Sequence, residues 1–222
     1  MNEKNGLSTL PNKSIDLCLT DPPFNIKFKS KQKKFQKRNK IYYDDYLEPD
    51  KYENWCKTWF KEVNRICKTV IIHVGKPNLN MWYKISNPID IFFWYKKNQS
   101  LSMTRSAYLC VADPFLFYGK NSRRLAWDVL EINMSIRKEV KVSHPCPLSE
   151  KITFRILDEL RPKTVLDPFL GSGTIAESCI KLGIKWFGYE KEKRYSNDID
   201  KRLKNCKPIK RLKQNKLEIL LS

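Results

Sequence analysis

Apolar positions along the chain fall into two periods whose alternation lays out the fold. Ile15 to Thr20 is a short apolar run ending at an Asp and two prolines, the pattern of a buried strand whose carboxyl end opens into a loop. From Asp50 to Lys68, Tyr52, Trp55, Trp59, Phe60, Val63 and Ile66 recur at three- and four-residue steps, which predicts an amphipathic helix. Thr69 to Val74 follows as a buried strand closed by Gly75, Lys76 and Pro77. The aromatic and β-branched stretches Ile89 to Tyr95 and Ala107 to Tyr118 predict two further strands, whereas residues 119 to 143 show only weak periodicity. A helix from Leu148 to Leu160, a strand from Lys163 to Leu166, a glycine turn and a helix from Thr174 to Leu182 come next. Lys185 to Tyr189 is the next strand, and a helix from about Arg194 to Leu203 closes the pattern.

Strands alternating with helices imply a parallel sheet covered on both faces. The 222 residues suit a single domain, and 41% hydrophobic with 12% aromatic residues is enough for a real core. The seven cysteines are scattered without CxxC spacing, and there are two histidines, so neither a disulfide framework nor a metal site is expected. No apolar run approaches the roughly 20 residues that span a bilayer. The residues after Met1 do not form a leader, so a soluble, unexported, cytoplasmic protein is expected, with no membrane contact.

Charge changes the picture most. The formal net charge is +19, and two acid-free runs carry nearly all of it: eight Lys/Arg between Lys27 and Lys40, and eight between Lys201 and Lys216. The first, 27–40, has no apolar period and reads as a mobile loop. Runs of this density point to a polyanion, and specifically to nucleic acid.

Two motifs carry chemistry. Asp21-Pro22-Pro23-Phe24 stands at the carboxyl end of a buried strand, where α/β sheets bind ligands. Locked prolines aim the Asp21 carboxylate and the Pro22 carbonyl at one point, and an exocyclic amine has two N–H donors for those two acceptors. Phe24 adds a face on which a base can stack. The second motif runs from Val165 to Thr174, in which Asp167, Phe169, Gly171, Ser172, Gly173 and Thr174 form a strand-turn-helix of the nucleotide-binding kind. Glu190, 23 residues beyond Asp167 at the end of the next strand, is placed to bind ribose hydroxyls. Position 176 is Ala, so the nicotinamide pattern G-x-G-x-x-G is not met and a non-phosphorylated adenosyl ligand fits better.

Together these residues resemble the amino-group DNA methyltransferases of the β class, in which D/S-P-P-Y/F precedes F-x-G-x-G in the chain. The resemblance covers nearly the whole sequence and extends to Tyr195 and Arg202 in the closing helix. It implies a Rossmann-like class I methyltransferase fold, with a mostly parallel central sheet, helices on both faces and the catalytic half ahead of the cofactor half. It implies S-adenosylmethionine as cofactor and no metal, and double-stranded DNA with a flipped-out base as substrate; it allows a homodimer and fits a restriction-modification role. The family's H-P-x-Q-K-P segment stands here as His144-Pro145-Cys146-Pro147-Leu148-Ser149, which leaves His144 as its cofactor-side candidate. Asp at the first motif position favours adenine N6 as acceptor, with cytosine N4 as the alternative. The target-recognition region is expected within about 78–143.

Three other readings fit less well. Glutamine-directed protein methyltransferases favour Asn-Pro-Pro-Tyr and place the glycine motif first, and a nicotinamide dehydrogenase would need different glycine spacing. A non-enzymatic nucleic-acid module has no need of Asp21 or Glu190. A second Asp-Pro-Phe, Asp113 to Phe115, lacks the second proline and reads as the start of a strand.

Overall fold

The structure, a computed structural model, describes residues 6–25, 47–96, 111–120, 123, 125–133, 144, 147–204 and 206–209. Seven strands form one sheet: β1 (Ile15–Thr20), β2 (Cys67–His73), β3 (Asp90–Tyr95), β4 (Ala112–Gly119), β5 (Val129–Glu131), β6 (Thr164–Asp167) and β7 (Lys185–Gly188). Their order across the sheet is β5-β3-β4-β2-β1-β6-β7. Among the described residues five α-helices accompany them: α1 (Pro49–Ile66), α2 (Leu79–Ile85), α3 (Glu150–Leu160), α4 (Thr174–Leu182) and α5 (Ser196–Lys204).

Side-chain alternation on the strands divides the core into two layers. Cys18, Val70, Ile72, Leu116 and Leu166 face α1, which buries Tyr52, Cys56, Trp59, Phe60, Val63 and Ile66 against them. Leu17, Leu19, Ile71, Phe115 and Val165 face the other way, toward Ile152, Ile156 and Leu157 of α3 and Ile175 and Cys179 of α4. Helix α1 starts with Pro49 in its first turn, where a missing N–H costs nothing, and Asp50 lies beside the positive end of the dipole. It runs without a loop into β2, because Cys67 already has extended backbone.

The sheet differs from a purely parallel one at β4, which runs antiparallel to both β2 and β3. Antiparallel neighbours need no crossover over a sheet face, whereas the parallel pairs β1–β2, β1–β6 and β6–β7 do. The strand expected from Ala107 begins at Ala112, and 107–110 lie outside the described residues. Helix α2 and strand β5 have no counterpart in the hydrophobic pattern. Of the cysteines, Cys18, Cys56, Cys67 and Cys179 are buried and reduced, as small apolar residues would be.

Candidate active site

Strands β1 and β6 are adjacent and parallel, so their carboxyl ends open on the same edge of the sheet. Asp21-Pro22-Pro23-Phe24 leaves the sheet there. The Tyr52 hydroxyl of α1 donates to the Pro23 carbonyl at 2.6 Å, and the Asn78 side chain donates to the Phe24 carbonyl at 2.6 Å. Asn25 adopts left-handed backbone (φ 55°), and its side-chain amide pairs with the N–H and C=O of Leu47 at 2.8 Å each. That double bond pins together the two ends of the segment holding the basic stretch 27–40; the stretch itself lies outside the described residues.

His73, the last residue of β2, sets its Nδ1 2.8 Å from Asp21 Oδ1. Its ring meets that of Phe24 edge-on at 5.2 Å. Burial works against charge on this imidazole, but the carboxylates of Asp21 and Asp113 outweigh it and raise its pKa to about 9. Gly75 completes the brace, since a Cβ there would stand 3.1 Å from the Phe24 ring.

On the neighbouring strand the chain turns through Gly171 (φ 54°) and Gly173 (φ 81°), conformations that side chains disfavour. A Cβ on Gly171 would also press to 3.2 Å of His144 Nε2. The turn delivers the start of α4, whose first amides carry no side-chain cap. Asp167 Oδ1 accepts from the Thr20 hydroxyl at 2.8 Å and from the Phe169 amide at 3.1 Å. Burial raises the Asp167 pKa to about 7, with Asp21 and Glu190 adding to the effect and the two hydrogen bonds opposing it. Burial also lowers the His144 pKa to about 4, so this ring is neutral; it packs on Tyr195 at 4.8 Å. Arg202 of α5 closes the turn from outside, donating to Glu177 Oε2 at 2.6 Å and to the Ser172 hydroxyl at 3.3 Å.

Asp21, His144, Asp167, Phe169, Gly171, Ser172 and Thr174 line one cavity, with Pro147, Leu148, Leu170 and Ile175. Seven of the sequence candidates therefore converge, and Gly173 forms the turn behind them. Glu190 stands behind the cavity wall. Its two oxygens accept from the amides of Gly171 and Glu192 at 2.7 Å each, and burial raises its pKa. The residues fit an adenosyl ligand with a charged amino-acid end. Leu148 and Ile175 offer apolar surface, the uncapped amides and the Ser172 and Thr174 hydroxyls offer polar contacts, and the glycines allow close approach.

Sequence reasoning missed Thr20, Tyr52, His73 and Asn78, which hold the motifs in place. Arg202, counted in the basic run, is largely buried and ion-paired with Glu177, so it does not belong to a solvated face.

A family model described as DNA methylase, covering the N6 and N4 enzymes, matches residues 15–201. Type II methyltransferase M.HinfI of Haemophilus influenzae is 28% identical over 91% of this chain and 66% of its own length. M.HpaI of Haemophilus parainfluenzae is 25% identical over 90% of this chain and 76% of its own length. The chain thus spans about two thirds of the length of M.HinfI. Among solved structures, the cytosine-N4-specific PvuII DNA methyltransferase superposes with a TM-score of 0.66 at 19% identity, covering 88% of this chain and 82% of that one. M1.HpyAVI in its SAM complex superposes with a TM-score of 0.60 at 21% identity, covering 88% and 90%. An Asp-Pro-Pro-Phe turn and a glycine turn at the ends of adjacent parallel strands, in a chain that matches the family model over most of its length, identify it as a member of the N6/N4 DNA methylase family.

Proposed function

We propose that this chain transfers a methyl group from S-adenosylmethionine to the N6 amino group of adenine in DNA. One observation carries the reading: Asp21 lines the same cavity as Asp167 and the turn from Phe169 to Thr174. A group held by the turn would lie beside the carboxylate that receives the target amine. When bound, S-adenosylmethionine supplies a methyl group on a positively charged sulfur.

The chain's own residues do the rest. An aromatic amine is a poor nucleophile because its lone pair is delocalised into the ring. Asp21 and the Pro22 carbonyl accept its two N–H groups and so draw the hydrogens out of plane, localising the lone pair and aiming it. Phe24 stacks on the base. Tyr52 and Asn78 hold the carbonyls of Pro23 and Phe24, so the acceptors are set before the base arrives. Gly171 and Gly173 allow close approach to the backbone, and Glu190 fixes the turn from behind. Asn25 and Leu47, paired beside this site, flank in the sequence the basic stretch 27–40, whose charge suits DNA phosphates. The two named relatives are type II methyltransferases, which favours a modification role for this chain.

The test is incubation with isotope-labelled S-adenosylmethionine and DNA, digestion to nucleosides and mass spectrometry. Labelled N6-methyldeoxyadenosine is expected, with none from Asp21→Ala, which should still bind S-adenosylhomocysteine. Label in N4-methyldeoxycytidine would move the acceptor to cytosine. No labelled nucleoside, or full turnover by Asp21→Ala, would overturn the reading.

A further inference from the structure

Behind Asp21 lies a chain of buried and half-buried charges that the reaction as described does not use. Three segments meet there: the end of β1 with Asp21, the end of β2 with His73, and the paired strands β3 and β4 with Lys96 and Asp113. His73 Nδ1 is 2.8 Å from Asp21 Oδ1. His73 Nε2 points at Asp113 Oδ2 from 3.5 Å, an ion-pair distance too long for a strong hydrogen bond, and makes no hydrogen bond among the described residues. Lys96 closes the far end with an ion pair to Asp113. The side chains of His73 and Lys96 are each only 6% exposed, so this is not a surface cluster.

The order of charges is carboxylate, imidazole, carboxylate, ammonium. An imidazolium donates from both nitrogens, and only that form satisfies an acid on each side. Packing fixes the ring as firmly as charge does. Phe115 stacks on it at 4.6 Å, Trp94 flanks it at 6.2 Å and Phe24 meets its edge at 5.2 Å. Among the described residues, the titratable and charged groups that face the ring are Asp21 from the end of β1, Asp113 from β4 and, through Asp113, Lys96 just past the end of β3. Burial resists the charge on Asp113 as well, but His73 and Lys96 overcome it and lower its pKa to about 2. A buried Lys paired to a half-buried Asp is costly to retain in place of apolar residues.

We propose that His73 is a positioning residue for methyl transfer: charged and held by Asp113, which is itself paired with Lys96, it fixes Oδ1 of Asp21 so that Oδ2 and the Pro22 carbonyl meet the target amine together. The inference rests on the proposed role of Asp21. It adds a functional residue on β2 and assigns Asp113 the task of keeping His73 charged, with Lys96 keeping Asp113 ionised. Since the ring already carries its proton at neutral pH, it does not accept the proton lost from the amine. Its work is geometric and electrostatic, and a carboxylate free to rotate would misplace the nucleophile by a distance that costs rate steeply.

The experiment compares wild type, His73→Phe, His73→Asn, Asp113→Asn and Asp21→Ala, all as full-length chains. The readouts are single-turnover methyl transfer to DNA, affinity for S-adenosylhomocysteine, KM for DNA, and kcat against pH. Phe keeps the ring stacking, and Lys96 still pairs with Asp113, so His73→Phe leaves no unpaired acid on β4. It should lose roughly 10- to 100-fold in kcat while cofactor affinity and KM stay within about 2-fold. Asn restores a neutral donor toward Asp21 and should recover part of that loss. Wild-type kcat should fall above about pH 9 as His73 loses its proton, and His73→Asn should lack that limb. Asp113→Asn leaves the ring in place and should move the limb to lower pH. Wild-type kcat in His73→Phe, or equal losses of kcat and cofactor affinity, would overturn the inference, as would an unmoved limb in Asp113→Asn. An inactive Asp21→Ala beside a fully active His73→Phe removes the inference alone. An active Asp21→Ala removes the reading of Asp21 and the inference with it.

Discussion

Glu190 is the residue whose predicted role the structure most enriches, and its removal tests the cofactor side of the site. In the folded chain the carboxylate already spans the glycine turn, accepting from Gly171 and Glu192 at 2.7 Å each. Hydrogen bonds to a charged group contribute about 1.5–3 kcal/mol apiece. The group is half-buried and burial raises its pKa, so desolvation offsets part of that gain. The expected net loss in Glu190→Ala is about 2–4 kcal/mol, or about 4–16 °C in Tm for a chain of this length. In Glu190→Gln an amide nitrogen must face one of the two N–H donors, so one bond survives and about half the loss is expected. Circular dichroism melts without ligand give the first number, and calorimetry with S-adenosylhomocysteine gives the second. Affinity should fall by at least the roughly 1.5–3 kcal/mol of a charged hydrogen bond to ribose, and DNA binding should change little. Melting of Glu190→Ala within about 1 °C of wild type would refute its hold on the turn. A lowered Tm with unchanged ligand affinity would leave it structural and remove it from the cofactor site.

Three further outcomes are expected. Changing Lys31, Lys33, Lys34 and Lys37 to Gln should raise the KM for DNA and flatten its salt dependence, by up to about 0.9 in the log-log slope for each phosphate no longer neutralised; an unchanged slope would shift attention to 201–216. Stability should fall as pH rises from about 7 toward 9.5. The His73 pKa is raised to about 9, so its contribution is complete below the unfolded value of 6.5 and is lost through about 9. Asp113, lowered to about 2, works in the opposite window: its contribution is complete above 3.8 and is lost as pH falls through about 2. Melts of wild type and His73→Asn across pH would show the alkaline decline in the first and not in the second. Gly119→Ala should cost at least about 2 kcal/mol, because a Cβ at φ 83° would stand 2.3 Å from the Lys68 carbonyl oxygen; an unchanged Tm would contradict the backbone path between β2 and β4.

The elements legible in the sequence are those with a strong period. Helix α1 repeats its apolar face over 18 residues, and β1 and β2 are apolar along most of their length, so each is readable without knowledge of its neighbours. Helix α2, with seven residues, is too short to show a period, and β5 has three. The direction of β4 is not legible because alternation reports which face a residue takes and says nothing of which way the strand runs. The motif residues of the site are legible because their chemistry is local. Their supports are not. Tyr52 has the spacing of a core residue and is one, and only its hydroxyl reaches Pro23. Asp113 does stand near the start of β4, but the register that pairs Phe115 with His73 is what brings its carboxylate to the imidazole.

The order of the motifs in the chain, with the Asp21 turn ahead of the glycine turn, is immaterial to their geometry for a reason visible in the sheet. Leu17 pairs with Val165 and Cys18 with Leu166, so β1 and β6 run side by side in fixed register whichever comes first in the sequence. Three residues beyond the first of those pairs, the Thr20 hydroxyl donates to Asp167 Oδ1 and ties the last residue of one strand to the last of the other. Both residues are buried, so the bond is shielded from water and from competition. The separation between the acid proposed to receive the amine and the turn proposed to receive the methyl donor is therefore set by the spacing between two paired strands. Loops can vary around it. What cannot vary is a contact that crosses the pair, and the pairs Thr20–Asp167 and Asp21–His73 lock β1 to the strands on its two sides.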